Sequence, residues 1–144
     1  MSVNPTWFFD RENAIYTIIK TIVTNKLSTK YPNLQFTSDD SGSMKAKFPT
    51  VYIHWIPGYE MGRELHNEKV NAFLCTVQME VYTNKEQGQK VAKHVMAEVV
   101  QQFITLGFEI NQMPEFLATN NETKRIVARA RRTLAIGDLI NSGS

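Results

Sequence analysis

The stretch from Val70 to Thr83, VNAFLCTVQMEVYT, sets Phe73, Cys75, Val77, Met79 and Val81 in alternation with Leu74, Thr76, Gln78, Glu80 and Tyr82. A pleated strand throws successive side chains to opposite faces, so the first set makes one wholly apolar face and the second a mixed polar one. Such a strand needs a core on one side, and the rest of the chain has to supply the layer that covers it.

Two segments have the helical period to do so. Asp10 stands where it can cap a helix whose stripe is Ile15, Ile18, Ile19, Ile22, Val23 and Leu27, with Pro32 closing the element. Residues 1–9 then form an N-terminal arm, in which TWFF at 6–9 either packs on the first helix as a staple or adds apolar area to an interface. Thr83 and Glu86 have capping-box spacing ahead of a second helix carrying Val91, Val95, Val99 and Phe103, flanked by Ala92, Met96, Val100 and Leu106. Gly107 followed by Phe108 has the pattern of a glycine C-cap and its apolar contact.

The remaining segments read as strands and turns. Leu34 to Thr37 is a short strand, followed by the polar loop SDDSGSMKAK. FPTVYIHWIPG is a strand ended by Pro57-Gly58, with Val51, Ile53 and Trp55 on one face and Tyr52, His54 and Ile56 on the other; two apolar faces predict a central position. FEI opens another strand, MPEFLATNNETK is a turn-rich connection, and RIVARARRTLAI is the last long strand. The order α-β-β-β-α-β-β, without repeats or linkers, predicts one α+β domain over residues 1–144. In it a mostly antiparallel sheet of four to five strands carries two helices on one face, and 139–144 forms a flexible tail.

The connection from 57 to 69 is far longer than a tight hairpin requires, and long connections in compact domains are functional or disordered. Tyr59, Met61 and Leu65 lie among charges such as Arg63, giving apolar anchors with a polar rim, a composition suited to contact between subunits. The alternative for this segment is a disordered flap.

A chain of 144 residues, 42% hydrophobic, holds one ordinary core. Its single cysteine, Cys75, excludes an intramolecular disulfide and reads as a buried, inert thiol. No basic segment precedes an apolar leader, and no apolar run approaches the ~18 residues of a membrane span, so the expected place of assembly is a cytoplasm. His54, His66 and His94 lack metal-ligand spacing, and Asp39-Asp40 lacks the alternating oxygens of a calcium loop. No GxSxG elbow or glycine-rich phosphate cradle occurs, and Glu60, Glu64 and Glu68 are offset by Arg63 and Lys69. The expectation is a non-enzyme with no catalytic, cofactor or metal site and no small-molecule substrate.

The formal charge is +2, yet residues 121–144 hold five basic against two acidic side chains, a local +3 that leaves −1 for the rest. Four of those charges, Arg125, Arg129, Arg131 and Arg132, fall in the last strand. Alternation turns Ile126, Ala128 and Ala130 toward the helices and Val127, Arg129, Arg131 and Thr133 away from them. Arg132 falls on the core side, where it either snorkels at the sheet margin or sits beyond a bulge that resets the register. The arginines either solubilise an exposed face by pairing with acidic neighbours such as Glu80, or they face a partner.

The run VQMEVYTNKEQGQKVAKHVMAEVVQQFITLGFEI, together with the leading helix, the FPTVYIHW strand, the long flap and the basic RIVARARRTLAIGD, resembles the tail terminator (tail completion or neck) proteins of long-tailed bacteriophages over about residues 10–138. The resemblance is one of layout. It implies a subunit of a structural, usually hexameric ring in the virion, at the head-proximal end of the tail tube. This ring ends tube polymerisation, contacts the tail-tube and head-completion proteins, and leaves a channel for the genome, all without catalysis. Arg125, Arg129, Arg131 and Arg132 would then face either DNA in transient, non-specific phosphate contact or a neighbouring subunit. The alternative function is a small nucleic-acid-binding module on a ferredoxin-like sheet. That module requires aromatic side chains beside the arginines, and the last strand has none.

Overall fold

The computed structural model of the protein describes residues 7–38, 47–56, 60–61, 72–117 and 122–135. Helix α1 spans Trp7–Leu27, strand β1 Gln35–Thr37, β2 Thr50–Ile56, β3 Glu60–Met61, β4 Ala72–Asn84, helix α2 Gly88–Thr105, β5 Glu109–Leu117 and β6 Thr123–Ala135. This is the expected α+β arrangement. The strands form one sheet in the order β1-β2-β4-β6-β5, with β3 also pairing with β4. The pairings are antiparallel apart from β1 with β2, so the sheet is mixed.

Both helices bury their stripes in the same cluster as one face of the sheet. Ile15, Ile19, Val23 and Leu27 of α1 and Ala92, Val95, Met96, Val99 and Phe103 of α2 meet Val51, Ile53, Cys75, Val77, Met79, Val81, Ile126, Ala128, Ala130 and Leu134. The alternation in β4 therefore does what its period dictates: the apolar set is buried against the helices. Ile22 lies at the margin of the α1 stripe and is half-buried.

Several element boundaries differ from expectation. α1 begins at Trp7, so Asp10 sits inside its first turn, where a negative charge suits the helix N-terminus. Phe9 is part of that helix and 53% exposed, while Thr6 and the side chains of Trp7 and Phe8 lie outside the described residues. Residues 1–6 of the expected N-terminal arm lie outside the described residues, as do 39–46 and the expected tail at 139–144. The capping box read at Thr83 and Glu86 does not open α2: Asn84 Oδ1 accepts from the Gln87 amide at 2.8 Å and Gln87 Oε1 accepts from the Asn84 amide at 3.5 Å, bonds that close the turn after β4, while Gln87, at the N-cap of α2, makes no side-chain cap bond. Thr83 belongs to β4, fully buried, and donates from its hydroxyl to the Gly88 carbonyl.

MPEFL, read as part of a connection, continues β5 to Leu117. Its proline is tolerated because β5 has one sheet neighbour, β6, and the register shifts between Gln112 and Glu115, across Met113 and Pro114. The long connection likewise contains a short strand, β3, at Glu60–Met61.

Candidate functional site: the open face of the sheet

Opposite the helices, cross-strand register arranges the second side-chain set in rows. From β2 through β4 and β6 to β5 these are Thr50, Tyr82, Arg125 and Leu117; then Tyr52, Glu80, Val127 and Glu115; then His54, Gln78, Arg129 and Gln112; then Ile56, Thr76, Arg131 and Glu109. Directly opposed residues of an antiparallel pair share a face, so each row is a line of near neighbours. Arg125, Arg129 and Arg131 all lie here, on the side opposite Ile126, Ala128 and Ala130.

A hydrogen-bonded chain runs through the middle of this face. Arg125 Nε donates to Glu80 Oε1 at 2.6 Å, the Tyr82 hydroxyl donates to the same oxygen at 2.7 Å, and Gln78 Nε2 donates to Glu80 Oε2 at 2.7 Å. Gln78 Oε1 in turn accepts from Arg129 Nε at 2.9 Å. Glu80 is 2% exposed although no described helix covers this side. Burial alone would raise its pKa, but the bonds from Arg125, Tyr82 and Gln78 outweigh that and hold it below the ordinary carboxylate value. The Tyr82 hydroxyl is pushed up to about 12 by its burial and by bonding to the carboxylate. Val127, in the next column, is also buried.

The four sequence-predicted arginines therefore divide. Arg125 is committed to Glu80, the acidic neighbour anticipated as a solubilising partner. Arg131, exposed, lies 3.7 Å from the exposed Glu109, a weak pair. Arg129, also exposed, is oriented by neutral Gln78 and has no carboxylate within ion-pair distance among the described residues.

Arg132 is not part of the face. Its Nη1 donates to the Leu106 carbonyl at 2.7 Å, and its guanidinium carbon comes within 3.6 Å of where a Cβ on Gly107 would stand. It ends α2, whose own last turn holds no basic residue. The β4–β6 register is continuous through Cys75 and Arg132, so the margin position, and not a bulge, resolves its place on the helix side.

Of the proposed inter-subunit loop, Tyr59, Arg63 and Leu65 lie outside the described residues, and Met61 is placed only by its backbone in β3. Sequence reasoning missed Tyr52, His54 and Tyr82 as companions of the arginines. They come from β2 and β4, and their common face follows only from the strand order. Tyr52 and His54 stack with centroids 5.2 Å apart, and Arg125 lies 5.9 Å from the Tyr82 ring centroid. The last strand itself holds no aromatic side chain, as its sequence gives; those beside the arginines belong to its neighbours in the sheet. Glu115 was also missed, since its segment was read as a turn.

Away from this face, Cys75 is buried, and its thiol pKa is raised by burial and by Glu12, with Arg132 acting in the opposite sense. His94 Nδ1 and the Tyr31 hydroxyl are hydrogen-bonded at 2.8 Å, tying α2 to the turn after α1. Among the described residues no helix is long and apolar enough to cross a membrane. Comparison with protein-family models and with curated protein sequences gave no match.

Proposed function

We propose that the protein is a non-enzymatic assembly subunit of the tail-terminator kind. In this reading it forms a ring, usually of six copies, at the head-proximal end of a phage tail tube, built in the host cytoplasm and carried in the virion. The ring ends tube growth, joins tail-tube to head-completion protein, and lets DNA pass without reading its sequence. The observation that carries the reading is the open sheet face, where Glu80, Arg125, Gln78 and Arg129 are locked together ahead of any partner. Tyrosine and arginine held rigid on a broad surface are the composition of interface anchors, since little side-chain entropy remains to be lost on binding. The element order and the extended connection after β2 agree with the resemblance in layout. The test is electron microscopy of tail tubes polymerised with and without the protein. Tubes capped at one end by a ring, and no longer elongating, are expected; tubes that grow on unaltered contradict the proposal.

A second reading, a nucleic-acid-binding module, is favoured by Tyr52, His54 and Tyr82 lying on the arginine face. Against it stands the charge balance: on the rows above, Arg125, Arg129 and Arg131 are matched in number by Glu80, Glu109 and Glu115. A neutral face gains little from counterion release. Tight retention of single-stranded DNA by the isolated subunit, with a steep loss on adding salt, would favour the module.

A further inference from the structure

The proposed ring leaves open whether the arginine face meets DNA or another subunit, and the inference drawn here rests on that reading. On the open face, two formal charges of opposite sign have no ionic partner among the described residues. Arg129 is held by Gln78, and Glu115 accepts from Gln112 Nε2 at 3.4 Å. The two stand on adjacent strands, one row apart: Arg129 opposes Gln112 and Glu115 opposes Val127. The remaining charges of the rows are satisfied within the subunit, Arg125 by Glu80 and Arg131 by Glu109.

We infer that the open sheet face is the surface by which two copies of this chain pair about a two-fold axis, each Arg129 opposite the other copy's Glu115, so that a ring of six holds three such pairs joined through other surfaces. A surface carrying one uncompensated cation beside one uncompensated anion is complementary to itself, whereas a polyanion meets an attraction and a repulsion within the same patch. Both side chains are exposed and each is already oriented by an amide, so little is lost when they engage. Between them Val127 is buried, and Leu117 and Ile56, both half-buried, supply apolar area around the polar centre. Four strands at about 4.8 Å spacing and some seven residues of length give roughly 500 Å² per copy. Two copies thus bury about 1,000 Å² in total, the low end for a specific contact, so the association is concentration-dependent.

Sedimentation velocity of the full chain across a wide concentration range tests this with Arg129→Glu, Glu115→Arg and the double exchange. Each single variant should weaken self-association at least tenfold by setting like charges opposite each other. The double exchange should restore it to within about threefold of the parent. Arg129→Gln, which removes the charge without reversing it, should fall between. A parent monomeric at every concentration, singles that associate like the parent, or a double exchange as weak as the singles overturns the inference. So does single-stranded DNA binding that Arg129→Glu abolishes while sedimentation is unchanged, which would assign the face to nucleic acid. Rings that still cap tail tubes while ignoring these substitutions would remove this inference and leave the terminator reading standing; tubes left uncapped by the parent would remove that reading instead.

Discussion

Arg125 and Arg132 lie on one strand and spend the same charge differently. Arg132 neutralises the carbonyl end of α2 from the helix side of the sheet, through a bond to a main-chain oxygen that the helix itself cannot satisfy. Replacing it with Met keeps the apolar stem and removes the charged bond. Unfolding in urea should show a loss of about 1–2 kcal/mol, with self-association of the folded protein unchanged. Arg125 instead counters a buried carboxylate. Arg125→Met leaves Glu80 with its bonds from Tyr82 and Gln78 but without a cation, and should cost about 2–3 kcal/mol by the same measurement.

Two carboxyls act on stability in separate pH windows. Glu12 of α1 has its pKa raised to about 7 by burial. The folded protein therefore holds its proton over a range in which the unfolded chain has lost it, and stability falls as pH rises from about 4.5 to 7. Glu80, with its pKa lowered, contributes stability above the unfolded value that is lost as pH falls below it. Urea unfolding of Glu12→Gln should lack the decline between pH 4.5 and 7 and exceed the parent in stability at pH 8, while retaining the acid-side loss. A parent with no decline in that window would contradict the burial assigned to Glu12.

Among the elements, the end of α2 is the most completely specified. Gly107, at φ 89°, donates its amide to the Ile104 carbonyl, Phe108 donates to the Phe103 carbonyl, and the two phenyl rings meet edge to face at 5.2 Å. This is a Schellman ending, and its glycine and following aromatic are visible in the sequence because only glycine adopts that φ without strain. Gly107→Ala should destabilise by about 1 kcal/mol, read as a lower thermal midpoint. The alternating faces of β4 and β6 and the stripes of both helices were equally legible, since burial acts on periods of 2 and 3.6 directly. The start of α2 was not legible: the capping pattern marks the turn after β4, closed by Asn84 and Gln87, and the helix begins beyond it at Gly88 without a side-chain cap. β5 beyond Ile110 was not legible: Pro114 signals a break unless the strand is already known to be an edge. The candidate site was half legible, its arginines from β6 alone, but Tyr52, His54 and Glu115 join them only through the order of strands far apart in the chain.

Across the whole molecule, the sheet has one face sealed by two helices and one that no described helix covers, and this second face carries an ordered network with nearly balanced charge. We propose that this face is used between copies of the chain and not toward solvent or DNA. The most direct test replaces exposed Arg131 by Cys, giving a reactive thiol on the face while Cys75 stays buried. Labelling is then compared in dilute subunits and in rings assembled on tail tubes. The thiol in the ring should react at least tenfold more slowly, while one placed at exposed Lys90 on α2 keeps its rate. Equal reactivity of the Arg131→Cys thiol in subunit and ring would contradict it.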